Sequence, residues 1–191
     1  MGVCVMSSRV MELIAMPDED LDFIVEDDVL FFNELLESED ERCDIHSLED
    51  TWAVIWFILT DSSFDANESY APSIKVYDEE GDFEISTSFL SEAEFIEDQD
   101  DDGAWSECYY LSAGEVLQIS RALNVFSVED FTKRLRSTIF KQAVSNKEIY
   151  RGVFWSKEEN YPLLIDSYYK PFVEFFSNAA SQGKAIIYGI G

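Results

Sequence analysis

Residues 51–60, TWAVIWFILT, run for ten positions without a charged side chain, and this run restricts the fold more than any other feature. It is half the ~20 apolar residues that cross a bilayer, so it must find its apolar surroundings inside the protein. Trp52, Ile55, Trp56 and Leu59 recur at helical spacing and fill one wide face. The expected element is a centrally buried helix over residues 47–59. Ser47, with Asp50 three residues on, has the spacing of an N-cap and its returning carboxylate, which places the expected start at Ser47.

A helix that is apolar nearly all round needs a thick core around it. The chain has 191 residues, 47% of them hydrophobic and 15% aromatic, enough to hide about 70% of the surface of the unfolded chain. No internal repeat or linker divides it, so residues 1–191 read as a single domain. Around the central helix the sequence predicts a short strand at residues 2–6 and a helix beginning after Pro17. A second short helix is expected from Val29, Phe32, Leu35 and Leu36, and strands near residues 74–77 and 83–88. Ser112 with Glu115 and Ser127 with Asp130 are two further capping boxes. The second of them opens a helix with Phe131, Leu135 and Ile139 on one face. The last helix is expected over residues 166–182, with Tyr169, Phe172, Val173, Phe176 and Ala180 inward and Gly183 as its stop. A strand at residues 185–188 follows. Helices and strands mix without a βαβ rhythm, so the fold class is α+β: mixed helices packed on a small sheet.

The charge is unevenly placed. Residues 1–111 carry 32 Asp and Glu against Arg9, Arg42 and Lys75, a balance of −29, whereas residues 112–191 carry eight acids and ten bases. A surface of that sign repels nucleic-acid phosphate and anionic membranes, so the expected partners include neither. It favours a basic protein partner, cations, or solubility alone. Cys4, Cys43 and Cys108 are widely spaced and odd in number, as in reduced cytosolic thiols outside any disulfide framework. A cytoplasmic setting is expected.

The sequence offers no catalytic constellation and implies no cofactor. G-x-S-x-G, H-E-x-x-H, Walker and G-x-G-x-x-G patterns are all missing. His46 is the one histidine; Cys43 and Asp44 stand near it, but neighbours in one loop rarely reach nucleophile–base geometry. Asp98, Asp100, Asp102 and Gly103 copy the opening of a calcium loop, yet Tyr109 occupies the twelfth position, where a bidentate glutamate belongs. These three aspartates are therefore weak metal candidates beside the reading of a solvated acidic stretch over residues 91–103. Trp52, Trp56, Tyr150 and Trp155 are the pocket or interaction candidates, weighed against ordinary core packing.

Two stretches carry a family resemblance. One is Ser47-Leu48-Glu49-Asp50-Thr51-Trp52 with Ile55-Trp56-Phe57-Ile58-Leu59-Thr60. The other is Tyr110-Leu111-Ser112 with Glu115-Val116, then Ile149-Tyr150-Arg151-Gly152-Val153-Phe154-Trp155, Tyr168, Ala179-Ala180 and Gly183-Lys184-Ala185. In order and spacing they resemble the YfbM-like family, a bacterial group of domains of unknown function. Trp56 stands where that family commonly has histidine, Asp61 where it has the glycine of Leu-Thr-Gly, and Arg151 where it has the proline of Tyr-Pro-Gly. The resemblance implies an α+β fold in the bacterial cytosol and supplies no activity. On these grounds the expected function is a non-enzymatic protein-interaction module, with an immunity-type inhibitor of a basic toxin as one concrete form. The alternative is a small-molecule-binding or enzymatic domain with an aromatic-lined pocket.

Overall fold

The computed structural model describes residues 10–21, 35, 41–61, 73–78, 81–88 and 108–190. The expected strand at residues 2–6, most of the helix built on Val29, Phe32 and Leu36, and the acidic stretch over residues 91–103 lie outside them.

The protein is α+β. Strands β1 (Met11–Pro17), β2 (Asp44–Glu49), β5 (Cys108–Leu111) and β6 (Lys184–Ile190) form an antiparallel sheet in the order β2-β1-β6-β5. β3 (Ser73–Asp78) and β4 (Gly81–Ser88) form a separate antiparallel hairpin. In β1, Met11, Leu13 and Ala15 face the larger core, while Ile14 and Met16 face a smaller cluster with Leu21, Ala185 and Ile187. With both faces covered, β1 reads as a nearly continuous apolar run instead of alternating.

The central helix α1 spans Trp52–Thr60, and all nine of its residues are buried. Around it stand α2 (Ala113–Val125), α3 (Val128–Leu135), α4 (Thr138–Ser145) and the short α5 (Gly152–Trp155). Then α6 (Tyr161–Leu164), a π-helical turn (Ile165–Tyr169) and α7 (Lys170–Ser181) run on as one rod. α2 packs along α7, and both lie on β6. Both expected capping boxes form: Ser112 with Glu115, and Ser127 with Asp130. Gly183 turns the chain out of α7 at φ +65°, the left-handed geometry that favours glycine.

Three expectations need correction. Ser47 does not cap α1; it lies in β2, where its hydroxyl donates to Glu12 Oε1 at 2.7 Å across the strand pair. The helix starts at Trp52 behind Thr51, whose Oγ1 donates back to the Leu48 carbonyl at 2.6 Å. Ile139 does not share the inward face of Phe131 and Leu135. The chain breaks at Arg136, Ser137 caps a new helix through the Phe140 N–H at 3.1 Å, and Ile139 is 60% exposed. The last helical rod begins at Tyr161, five residues before Asp166, and Val173 and Ala180 are only partly buried.

The far end of α1 is closed by a side chain from α3. Arg134, 9% exposed, donates from Nη1 to the Ile58 carbonyl at 2.6 Å and the Leu59 carbonyl at 3.3 Å. These are C-terminal carbonyls that a helix cannot satisfy itself, and a cation is favoured there by the helix dipole. Tyr161 and Tyr169 tie the long rod to the same neighbourhood, donating to the Leu135 and Phe126 carbonyls, each at 3.0 Å.

Candidate functional site

The corner at the turn from β2 into α1 holds two of the four left-handed residues other than glycine among the described residues. Glu49, the last residue of β2, has φ +47°, and Arg151, just ahead of α5, has φ +56°. Left-handed backbone costs a residue with a Cβ roughly 1–2 kcal/mol, and such positions concentrate where a site imposes them. The π turn is the third irregularity. It carries Tyr168, whose hydroxyl donates to Glu49 Oε2 at 2.8 Å. Three unusual backbone segments thus meet at one corner. A proline at position 151 would be locked near φ −65°, so the arginine goes with a different local backbone from the Tyr-Pro-Gly pattern.

Side chains complete the corner. Arg151 Nε stands 3.5 Å from Asp50 Oδ2, and its guanidinium carbon lies 5.7 Å from the centroid of the Tyr150 ring. Tyr150 stacks on Trp52 with centroids 6.5 Å apart and planes at 24°. Trp155 meets Tyr168 edge to face at 5.7 Å, and its indole Nε1 is buried with no hydrogen-bond partner among the described residues. Gly152, the residue after Arg151, lets the segment sit this close. A Cβ there would stand 3.1 Å from both Ile149 Cβ and Val144 Cγ2.

Of the four aromatic candidates, the structure joins Trp52 directly to Tyr150 and brings Trp155 to the corner through Tyr168. Trp56 lies one turn further along α1, buried in the larger core. Trp52, Trp56 and Trp155 are all between 2% and 4% exposed, and Tyr150 is half-buried. Sequence reasoning missed Glu49, Asp50, Arg151 and Tyr168 as members. Tyr168 and Glu49 are 119 residues apart, and no local pattern announces such a pair.

The electrostatics of the corner favour cations. The hydrogen bond to Glu49, then burial, then the charges of Glu49 and Asp50 push the Tyr168 hydroxyl up to about 12, so it stays a donor. Arg151 is held above its usual range, first by its hydrogen bond to Tyr150 and then by the charges of Tyr150 and Asp50. On the neighbouring strand, burial raises the Glu12 carboxyl; the Ser47 hydroxyl lowers it and the Glu49 charge raises it again.

His46 belongs to a different place. It lies on β2 opposite Leu13, in a strand and not a loop, and stacks on Phe175 at 5.4 Å and 25°. Its Nε2 is buried without a hydrogen-bond partner among the described residues, and burial lowers its pKa. Cys43 packs against the smaller cluster on the other face of the sheet, so it forms no nucleophile–base pair with His46. Among the described residues no group of three His, Cys, Asp or Glu side chains is placed to hold a metal ion. Asp98, Asp100 and Asp102 lie outside those residues.

The sequence pattern of DUF1877, a domain of unknown function, matches residues 6–188. The chain belongs to the DUF1877 family. A solved structure with the DUF1877 chain's fold is YfbM from Escherichia coli, itself described as a protein of unknown function. The two are 17% identical and superpose with a TM-score of 0.57, over 95% of this chain and 99% of YfbM. At that identity the likeness shows the fold alone. No curated protein sequence matches this DUF1877 chain. Among its described residues no helix is long and apolar enough to cross a membrane.

Proposed function

We propose that this chain is a cytosolic, non-enzymatic protein-interaction module whose acidic first part docks on a basic protein partner. The observation that carries the reading is the charge partition, −29 over residues 1–111 against a near-neutral remainder. The fold supports it by leaving Asp18, Glu19, Glu41, Asp44 and Glu49 exposed at the surface. Complementary charge of this kind steers association and selects partners by sign. An immunity-type inhibitor covering the basic surface of a toxin is one concrete form.

The other reading, an aromatic-lined small-molecule pocket, draws on the same corner at the start of α1. Burial of Trp52, Trp56 and Trp155 leaves Tyr150 as the accessible member of that set, which favours docking over enclosure of a ligand.

The test is a pull-down from a bacterial lysate at low and at physiological salt, with bound proteins identified by mass spectrometry. The expected result is one stoichiometric basic protein retained at physiological salt. Diffuse basic proteins that all wash off as salt screens the surface would remove the reading.

A further inference from the structure

We propose that Asp50 and Tyr150 form the anchor point for an arginine side chain of the basic partner, and that Arg151 occupies this point in the free protein. The inference rests on the docking reading and names the spot where it acts.

The corner already demonstrates its chemistry on the chain's own guanidinium. Arg151 lies over the Tyr150 ring at 5.7 Å and against Asp50 at 3.5 Å. A guanidinium is the cation suited to such a place: planar, able to stack on an aromatic face, and able to present two N–H groups to one carboxylate. Arg151 uses part of that capacity, on Tyr150 and Asp50. Its contact to Asp50 runs through Nε at 3.5 Å, well beyond the 2.7–2.9 Å of a charge-assisted bond. Its side chain is 52% exposed, and its backbone is held left-handed at φ +56°. An arginine from another chain carries no such backbone constraint, so its fork can close on Asp50 while its face lies on Tyr150.

The neighbouring groups supply the rest. Glu49 accepts the Tyr168 hydroxyl at Oε2 and adds a second negative charge next to Asp50 in the chain. The Glu49 and Asp50 charges both act on that hydroxyl. Trp52 backs Tyr150 from inside the core, its ring plane 24° from that of the tyrosine. An aromatic backed by the core with a carboxylate beside it is the makeup of an interface hot spot for arginine.

The test is an NMR titration of the full chain with Nα-acetyl-arginine amide and its lysine counterpart at physiological salt. Amides of residues 49–52 and 150–152 and the Trp52 indole report binding. Arg151→Ala should bind the arginine probe about tenfold more tightly than wild type, the factor expected if the corner is open only a tenth of the time. It should also prefer arginine to lysine. Arg151→Gly, which tolerates the left-handed backbone, should do the same. Adding Asp50→Asn to either should remove the binding. Equal or weaker binding by both Arg151 variants overturns the proposal. So do shifts that spread over the acidic surface and fade alike for both probes as salt rises. The docking reading fails separately: a basic partner retained equally by wild type and Asp50→Asn overturns the anchor and leaves docking standing. Selective arginine binding with no protein retained from the lysate keeps the anchor and removes docking.

Discussion

Two arginines stand at opposite ends of α1, each over an aromatic ring and each beside oxygen acceptors. Arg134 lies 4.7 Å from the Phe126 centroid, is 9% exposed, and binds two main-chain carbonyls. Arg151 lies over Tyr150, is half in solvent, and meets one carboxylate loosely. The helix separates them further. Its C-terminus carries partial negative charge and welcomes Arg134; its N-terminus carries partial positive charge, so Arg151 is held there by Asp50 and Tyr150 against the dipole. The same side chain thus serves as a fixed part of the core at one end and as an exchangeable occupant at the other.

The largest expected effect comes from the fixed end. Arg134→Ala should cost about 3–5 kcal/mol in urea unfolding, because buried carbonyls and the packing over Phe126 lose their partner together. A loss below about 1 kcal/mol would mean that α1 closes without it. Next is Gly152→Ala, which forces a Cβ onto Ile149 and Val144 and should cost about 1–3 kcal/mol. That change would show whether the Arg151 segment owes its position to packing.

A third test concerns His46, on the buried side of the comparison. Its folded pKa lies below the ordinary 6.5, so the unfolded chain binds the proton first. Stability should therefore fall as pH drops from about 7 through 6.5 toward the folded pKa, and His46→Gln should flatten that slope. An unchanged slope in the variant would assign it elsewhere. Glu12 acts in the opposite sense at lower pH. Its raised carboxyl takes up its proton in the folded state first, which favours folding as pH falls through the region just above 4.5. The smallest effects belong to the exposed corner. Arg151→Ala should cost about 1 kcal/mol or less in urea unfolding, the worth of an exposed contact that is closed most of the time. In a spectrophotometric titration, Glu49→Gln should bring one tyrosine down from about 12.

How far the sequence disclosed this molecule depended on whether local spacing met a competing partner. Ser112 with Glu115 and Ser127 with Asp130 announced their helices correctly, since among the described residues no distant partner takes those side chains. Ser47 with Asp50 has the same spacing and failed, because β1 lies alongside and Glu12 takes the Ser47 hydroxyl. Cross-strand pairing overrode the local signal. The buried character of α1 and the α+β class followed from composition and periodicity. At the candidate site, Trp52, Tyr150 and Trp155 stood out as aromatics. The polar members were hidden, because Arg151 matters through a backbone angle and Tyr168 through a partner in β2. Arg134 was hidden too, its acceptors being carbonyls 75 and 76 residues earlier.

The strand order has a consequence for how the molecule is made. β6 lies between β1 and β5, with Met11 opposite Ile190 and Leu111 opposite Ile186. On the ribosome, β1, β2 and β5 all emerge before the strand that joins them. Until residues 184–190 arrive, the open edges of β1 and β5 have no shared neighbour. Contacts this distant in sequence slow folding and leave unpaired edges exposed meanwhile. Dense negative charge, as carried by the early part of this chain, opposes association of like chains by mutual repulsion.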